Sequence, residues 1–271
     1  MPKSFILSIV TLFVTLVFFF SCKKSKNAPP PAKYTGCRIA HITQAGVDTT
    51  NKTVYSFFYN DDGTVHRIYA TYSNFVGSAN NKFFLYKDNY IKISTVRFGE
   101  TSPATIDSLA LDAQNRVVFI NHIFNDPITQ YPTWDNYQYD SSGNMILHTS
   151  RFESDYTTDT ATLQWLNGDV TGYTINAGPN HVVTTYADTY SDTLYNTGNI
   201  TARIMDFLNY GRAIYTSKHL QSSEICTTCG RVFMNYTYIL DSAGKITFLH
   251  EIPVNGAQVN EKMSWITYAC E

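Results

Sequence analysis

Tyr59-Asn60-Asp61-Asp62-Gly63-Thr64-Val65 is the stretch of sequence that decides the fold. Asn and Asp side chains can hydrogen-bond the backbone ahead of them, and a glycine supplies the positive φ that closes a type I turn with a G1 bulge. Apolar residues alternate on both sides of the stretch, with Phe57 before it and Ile68 after it. The stretch therefore predicts a tight hairpin turn between two strands.

The same kind of turn recurs along the chain. Close matches lie at residues 112–115, 140–143 and 241–244, and looser ones at residues 87–89, 166–169 and 195–198. The residues that close these turns, Gly63, Asn89, Asn115, Gly143, Gly168, Gly198 and Gly244, are successively 26, 26, 28, 25, 30 and 46 residues apart. A period of this size holds two strands with their two connections, and the last gap is close to two periods.

Between the tight turns lie longer connections that are rich in Gly, Pro, Ser, Thr and Asn. They fall near residues 44–51, 73–81, 99–104, 125–133, 153–160, 176–180, 216–230 and 253–260. We predict an all-β, antiparallel up-and-down meander of roughly fourteen to sixteen strands, curled into a barrel or a strongly bent sheet. The tight turns would lie at one end, the tight-turn end. The variable loops would lie at the other, the long-loop end, where such scaffolds usually bind.

One segment interrupts this pattern. The apolar residues Ile204 and Leu208 belong to a set with helical spacing, Asn199 can cap its start, and Gly211 can end it. We predict one short helix over residues 200–210, whose apolar stripe plugs or covers one end of the sheet. A bent pair of strands is the alternative.

The N-terminus has the pattern of an export signal. Lys3 is followed by an apolar run over residues 5–20 and then by Ser21-Cys22. A small residue before a cysteine resembles the lipobox of bacterial lipoproteins, although Phe19 stands where that family prefers leucine. We predict a signal peptide at residues 1–21 and lipid attachment at Cys22; an uncleaved signal anchor is the alternative.

The predicted tether follows directly. Residues 22–36 lack hydrophobic periodicity and contain three consecutive prolines and several lysines, which could rest against anionic headgroups. Residues 37–271 would form a single β-meander domain. The lipid would hold the protein at a membrane.

The charge of the predicted domain argues against nucleic acid as a partner. Five of the 20 basic residues lie at or before Lys33, so 15 basic residues face all 22 acidic ones, a net charge of about −7. The hydrophobic fraction of 44% and the charged fraction of 15% are those of a folded protein. The aromatic fraction of 15% is high, which suits β-sheets.

The strands do not have the pattern of a membrane-spanning barrel, which needs an uncharged lipid-facing stripe on every strand. Arg67 lies on one face of its strand and His66 on the other, and Lys92 and Arg97 also lie on opposite faces. We therefore predict a water-soluble domain held by its lipid.

Three motifs carry a resemblance to a known family. The turn at residues 59–65, the segment at residues 111–118 and the segment at residues 206–211, behind a lipoprotein signal, resemble a family of uncharacterised Bacteroidota lipoproteins. The similarity extends from about Cys37 to the C-terminus. It implies a porin-like β-meander and no established activity. The turns also resemble the tyrosine–aspartate repeats of secreted shell proteins, which are more regular.

The resemblance bears on location. Bacteroidota lipoproteins that reach the cell surface carry acidic residues just after the lipidated cysteine, whereas lysines follow Cys22. We predict attachment to the outer membrane in the cell envelope, with the periplasmic face favoured over the surface.

Four further cysteines, Cys37, Cys226, Cys229 and Cys270, allow three disulfide connectivities in an exported domain. In the meander, Cys37 and Cys270 both lie at the tight-turn end, whereas Cys226 and Cys229 lie in a loop at the long-loop end. We predict Cys37–Cys270 and Cys226–Cys229. The first requires the terminal strands to meet, as in a closed or nearly closed barrel.

The Cys226–Cys229 pair has two other interpretations. It could be a redox pair, which usually needs a helix N-terminus beside a thioredoxin-like unit. It could also be half of a zinc site completed by His219, although no second pair of ligands has suitable spacing. We favour a structural disulfide and predict no metal site and no cofactor.

No catalytic motif is present. The sequence lacks the glycine-flanked nucleophilic serine, the zinc-protease pair of histidines and a phosphate-binding glycine loop. The seven histidines are scattered, mostly within strands, and no carboxylate pair of the glycosidase kind can be selected from sequence. We predict no catalytic residues.

The functional prediction is a non-enzymatic cell-envelope lipoprotein that binds a partner or scaffolds a complex. A glycan- or lipid-binding module that uses the long-loop end or the interior of the sheet is the alternative, and a hydrolase is third. Tyr131 and Trp134, which flank a proline in a long loop, and Tyr156 in the next loop are the candidate ligand-binding residues. They could stack on a sugar or an apolar ligand, or pack against neighbouring strands.

Overall fold

The computed structural model describes residues 36–73, 79–124, 133–152, 157–178, 182–195, 204–210, 212–254 and 261–270. The predicted signal peptide, the lipidation site Cys22 and nearly all of the tether lie outside these ranges. The described residues belong to one compact unit.

Sixteen antiparallel strands and one short helix make up the described part of the chain. The strands are β1 (Cys37–Ala45), β2 (Lys52–Tyr59), β3 (Val65–Tyr72), β4 (Ala79–Lys87), β5 (Tyr90–Arg97), β6 (Thr105–Leu111), β7 (Val117–Phe124), β8 (Thr133–Tyr139), β9 (Met145–Phe152), β10 (Thr157–Leu166), β11 (Asp169–Ala177), β12 (Val182–Tyr195), β13 (His219–Cys226), β14 (Arg231–Leu240), β15 (Ile246–Pro253) and β16 (Lys262–Cys270). The helix, α1, is Ile204–Tyr210.

The strands follow one another in sequence order and close into a barrel, because β1 pairs with β16. Cys37 lies directly opposite Cys270 in that last ladder, and the two sulfurs form a disulfide. The second disulfide joins Cys226 and Cys229. The predicted all-β meander is confirmed, and the barrel is closed rather than an open bent sheet.

The tight turns share one backbone geometry. In the opening turn the Asn60 amide donates to the Thr64 carbonyl and the Gly63 amide to the Asn60 carbonyl, and the turns that begin at Asp112, Asp140 and Asp241 repeat both bonds. The closing residue has positive φ in each: 88° at Gly63, 62° at Asn115, 88° at Gly143 and 77° at Gly244. A register shift accompanies each of these turns, as a G1 bulge requires. This turn chemistry is as predicted.

Near several of these turns, an aromatic side chain donates a hydrogen bond to a backbone carbonyl of the neighbouring strand. Tyr59 Oη donates to the Ile39 carbonyl, Tyr139 Oη to the Val117 carbonyl and Tyr268 Oη to the Ile246 carbonyl. Trp165 Nε1 makes the equivalent bond to Met145. These aromatic residues, which lie at or near the ends of their strands, therefore tie together pairs of strands that a long loop connects.

The lumen of the barrel is filled by a core. Side chains from strands all around the barrel form one buried cluster, which includes Ile42, Ile68, Ile93, Leu109, Ile120, Leu163, Val170 and Leu249. Ile204 and Leu208 of α1 belong to the same cluster and are 1% and 2% exposed. The helix therefore lies among the side chains that face inward, as the plug interpretation predicted.

Some boundaries differ from the sequence-based expectations. The predicted loop at residues 216–230 contains all of β13, so Cys226 ends a strand and only residues 227–230 form the turn. The described part of the helix begins at Ile204, and residues 196–203 lie outside the described ranges. The sequence 216–230 was misassigned because its polar composition resembles that of a loop.

Candidate functional site

Four ionisable residues on four consecutive strands face the lumen together. Asp107 (β6) pairs with His122 (β7) across one ladder. Asp135 (β8) lies opposite the fully buried Ile120, and His148 (β9) lies opposite Tyr137. Directly opposed residues of antiparallel strands share a face, so all four side chains point inward. We call these residues the Asp–His chain.

Short hydrogen bonds join the Asp–His chain into one network. His122 Nδ1 lies 2.7 Å from Asp107 Oδ1, and His122 Nε2 lies 2.7 Å from Asp135 Oδ2. His148 Nε2 donates to the other oxygen of Asp135 at 2.8 Å. The His148 ring also stacks on Tyr137, with centroids 4.7 Å apart and planes 5° from parallel.

The network fixes the charge on its central members. Burial alone would lower the pKa of His122, but the hydrogen bonds and charges of Asp107 and Asp135 raise it to about 9. Burial alone would raise the pKa of Asp135, but His122 and His148 lower it to about 2. At neutral pH, His122 is an imidazolium that donates through both ring nitrogens to the side-chain oxygens of Asp107 and Asp135.

Lys82 connects the Asp–His chain to the helix. It lies on the inner face of β4, opposite the buried Ile68. Its Nζ donates to the Leu208 carbonyl at 3.2 Å and to Asn209 Oδ1 at 2.9 Å. Burial lowers the pKa of Lys82, and the charge of Asp107 opposes that shift. The ammonium thus binds the C-terminal carbonyl end of α1, where the helix dipole favours a cation.

A second polar wall lies on the other side of the lumen. Tyr173 Oη donates to Glu224 Oε2 at 2.8 Å. Glu224 is directly opposite Asp188 in the β12–β13 ladder, and Glu251 is opposite Tyr236 in the β14–β15 ladder. Burial raises the pKa of Glu251, and the nearby charge of Lys262 lowers it.

Together the two walls make the inner face polar towards the long-loop end. On nine of the sixteen strands, an inward residue on the long-loop side of the apolar core is polar or charged. The set consists of Gln44, Lys82, Asp107, His122, Asp135, His148, Glu224, Glu251 and Ser264. We call this set the polar layer. It separates the sealed tight-turn half of the barrel from the long loops.

The Asp–His chain is built to hold charge. Both nitrogens of His122 donate to carboxylates, so its ring has no lone pair with which to act as a general base. In the part of the chain that the structure describes, no group of three or more His, Cys, Asp or Glu residues could hold a metal ion. The geometry is that of a partly buried ion-pair network facing the long-loop end.

Of the three aromatic residues predicted to bind a ligand, the structure describes only Trp134. It lies in strand β8, so its placement in a loop was wrong. Its ring lies 6.2 Å from Phe119 on the outer wall. Tyr131 and Tyr156 lie outside the described residues, and a ligand role for the three stays a prediction.

The structure does not support a zinc site formed by the cysteine pair and His219, because the histidine lies at the opposite end of the barrel from the cysteines. His219 begins β13 at the tight-turn end, whereas Cys226 ends the same strand at the long-loop end. His219 Nδ1 instead lies 2.6 Å from Asp169 Oδ2, and its amide donates to Asp169 Oδ1. It therefore joins the starts of β11 and β13.

No sequence motif predicted the Asp–His chain. A signal for it was present: His122 and His148 are 26 residues apart and Asp107 and Asp135 are 28, the same spacings as successive tight turns. Residues one period apart occupy equivalent places in consecutive hairpins. Applying the turn period to the ionisable residues would have related the two histidines to each other and the two aspartates to each other, but it would not have joined the two pairs.

Solved structures share this fold. A porin-like protein from Bacteroides uniformis ATCC 8492 superposes with a TM-score of 0.63 at 15% identity, over 89% of this chain and 99% of that one. A porin-like protein from Bacteroides vulgatus ATCC 8482 superposes with a TM-score of 0.50 at 12% identity, over 85% of this chain and 98% of that one. At such identities the likeness shows the fold alone.

Sequence comparison adds no relative. No family model matches the chain, and no curated protein matches its sequence. The two porin-like proteins described above come from Bacteroides, which is consistent with the predicted relationship to Bacteroidota proteins. Membership in a lipoprotein family stays a prediction. Among the described residues, no helix has the length and apolar character needed to cross a membrane.

Proposed function

We propose that this chain is a non-enzymatic lipoprotein of the cell envelope that binds a polar partner through its long-loop end, and that it does not form a pore. The observation that carries the proposal is the division of the lumen. Core side chains and α1 fill its tight-turn half, and the polar layer lies in the other half.

The filled lumen supports a binding role over a conducting one. A sixteen-stranded barrel is wide enough for an aqueous channel when its interior is empty. Here Ile204 and Leu208 of α1 pack among core side chains from strands around the barrel. Lys82 and Arg212 hold the helical segment in place by donating to Leu208 and to the Asn115 carbonyl. The apolar core also leaves little room for the acyl chain of a lipid ligand.

The charged residues on the outer face of the barrel support the proposal that the domain is surrounded by water and not by lipid. Arg67 lies between Phe58 and Phe83 in the ladders of β2–β4, and these two rings are 47% and 40% exposed. Its guanidinium lies 5.4 Å from the Phe58 ring centroid and 5.5 Å from that of Phe83. Lys92 lies opposite the exposed Leu85. Charges at mid-strand on the outer face are costly in hydrocarbon.

The proposed attachment is the lipid at Cys22. The tether between Cys22 and the first strand would leave the barrel free to turn towards a partner. The polar layer favours a partner with hydroxyl or charged groups, such as a glycan or a polar segment of an envelope protein.

Two measurements test the proposal. Full-length protein reconstituted into liposomes should not increase their permeability to small sugars, and discrete channel conductance would overturn the proposal. Native mass spectrometry of protein purified from its envelope should show a polar bound species. That species should be lost in Asp135→Asn and retained in the exposed-site control His41→Gln. If both variants retained the bound species, the ligand would bind elsewhere, and the assignment of the binding site to the polar layer would be contradicted.

A further inference from the structure

The Cys226–Cys229 disulfide has one buried and one exposed cysteine. Cys226 is fully buried at the end of β13, and Cys229 is exposed in the turn formed by residues 227–230. This turn lies at the long-loop end, between β13 and β14. An external thiol can therefore approach the Cys229 sulfur but not the Cys226 sulfur.

The turn is held in place by hydrogen bonds that do not need the disulfide. Thr227 donates its amide to the Thr185 carbonyl at 2.8 Å and its hydroxyl to the same oxygen at 3.0 Å. The Thr185 amide donates to Thr228 Oγ1 at 3.2 Å. The disulfide spans a sequence separation of only 3. Closing so short a loop removes little entropy from the unfolded chain.

Two donors point at the buried sulfur. The Cys229 amide donates to Cys226 Sγ at 3.1 Å, and the Thr228 hydroxyl lies 3.6 Å from the same atom. Because Thr228 Oγ1 accepts a hydrogen bond from Thr185, its own hydrogen can be directed at the sulfur. Hydrogen bonds to a thiolate favour the charged form, and a better-stabilised thiolate is a better leaving group.

We propose that Cys226–Cys229 is not only a structural bridge, as its sequence context favours, but an exchangeable disulfide that oxidises the paired thiols of a substrate protein or peptide once per bridge, as a stoichiometric oxidant and not as a catalyst. The thiolate of the substrate attacks Cys229 Sγ and forms a mixed disulfide, and the electron pair of the broken bond leaves on Cys226 Sγ. The second substrate thiolate then attacks its own mixed-disulfide sulfur and releases Cys229 as a thiolate. The substrate is oxidised to a disulfide, the Cys226–Cys229 pair is reduced to two thiols, and the two protons pass from substrate to protein.

The other disulfide serves as an internal reference. Cys270 is also exposed, so exposure alone does not distinguish the two bridges. Cys37–Cys270, however, spans a sequence separation of 233 and joins directly opposed residues of the closing ladder. Among the described residues, no hydrogen bond reaches either of its sulfurs. The geometry therefore assigns exchange to Cys226–Cys229 and a structural role to Cys37–Cys270.

The first test uses the wild-type protein in its folded state. It is equilibrated with increasing dithiothreitol, alkylated and analysed by peptide mass spectrometry. Cys226 and Cys229 should become alkylated at a dithiothreitol concentration at least tenfold below that required for Cys37 and Cys270. Equal resistance of the two bridges would overturn the proposal.

The second test identifies the attacked sulfur. Cys226→Ser leaves a thiol at Cys229, and Cys229→Ser leaves one at Cys226. With oxidised glutathione, the first variant should form its mixed disulfide at least tenfold faster than the second. Equal rates would contradict the assignment.

A third variant tests the hydrogen bond from the Thr228 hydroxyl to Cys226 Sγ without removing a cysteine. Thr228→Val, which deletes the hydroxyl, should slow reduction of the Cys226–Cys229 bridge several-fold and leave the reduction of Cys37–Cys270 unchanged. An unchanged rate would contradict the stabilisation of the leaving sulfur. Because this variant and the wild-type titration retain all four cysteines, the proposal stays testable if either serine variant fails to fold.

Discussion

His122 links the stability of the barrel to pH. Its imidazolium lies between the carboxylates of Asp107 and Asp135, and the side chains of all three are about 15% exposed. The folded-state pKa of about 9 is above the ordinary value near 6.5, so the folded state binds this proton more tightly than the unfolded chain does. The stabilisation is therefore complete below about pH 6.5 and is lost as the pH rises through about 9.

We predict that wild-type protein loses about 2 kcal/mol of its unfolding free energy between pH 7 and pH 10 because His122 deprotonates, a value reduced from the full linkage to allow for solvent screening. In His122→Gln this contribution should be absent, and the fall that remains near pH 10 should be the one that buried tyrosines such as Tyr190 and Tyr236 cause in every variant, because burial raises their pKa. That variant should also be about 1–3 kcal/mol less stable at pH 7, since two carboxylates then face a neutral side chain. Urea unfolding at several pH values, with both disulfides intact, measures both effects.

His41→Gln is the matched control for this prediction. His41 is exposed on β1, and its Nδ1 lies 3.1 Å from Ser56 Oγ. The variant should keep the wild-type fall in stability between pH 7 and pH 10. If His122→Gln showed the same fall as His41→Gln, the pH dependence would come from other groups.

The candidate site was less accessible to sequence reasoning than the fold, because its contacts cross strands. Asp107 and His122 are 15 residues apart, and Asp135 is 13 residues from His122 and from His148. Such spacings match neither the helical nor the strand period, so each residue looked like an isolated polar position. Only the register of the hairpins shows that the four share a face.

At the scale of elements, the turns were predictable because their chemistry is local. Asp112, Asp140 and Asp241 each accept two backbone amides within the next four residues, so no distant contact is required. Strand β13 was not predictable in the same way. Its sequence, HLQSSEIC, is mostly polar, and its inner residues include Glu224 as well as Leu220. Pairing with β12 and β14 makes it a strand.

The closing position of a tight turn offers a local test. Gly143 has φ 88°, and an added Cβ would meet Arg116 Nη1 at an ordinary 3.5 Å, so backbone conformation alone should decide the cost. We expect Gly143→Ala to lower the unfolding free energy by about 1 kcal/mol. Gly143→Asn should cost less, because Asn115 adopts φ 62° at the equivalent position. Urea unfolding compares the two; equal losses would indicate steric crowding instead.

The helix offers a test of the filled lumen. Leu208→Ala removes a side chain that is 2% exposed within the core, and it should cost about 2–4 kcal/mol of unfolding free energy. Leu166→Ala is the control, since that leucine is 62% exposed and its loss should change stability by less than about 0.5 kcal/mol. Chemical denaturation measures both. Equal, small effects would show that α1 does not contribute to the barrel core.

At the scale of the whole molecule, the alternation of tight and long connections determined most of the architecture. An up-and-down meander places both termini at the tight-turn end only when the number of strands is even, and a disulfide between those termini then requires the sheet to close. The outcome, sixteen strands with β1 paired to β16, follows that reasoning. What fills the lumen could not be derived this way, because the packing of α1 depends on contacts with distant strands, such as that of Lys82 with Leu208.

Closure of the barrel supplies the last prediction. A disulfide across a sequence separation of 233 constrains the unfolded chain strongly, by about 5 kcal/mol in the chain-entropy model. We expect Cys37→Ser/Cys270→Ser to lower the unfolding free energy by about 2–5 kcal/mol, with the β-sheet circular dichroism retained. The corresponding double variant at Cys226 and Cys229 should lose about 2 kcal/mol or less, because its loop is so short. Urea unfolding distinguishes the two. A larger loss at the short loop would mean that the closing ladder is held by its backbone hydrogen bonds and core contacts rather than by its disulfide.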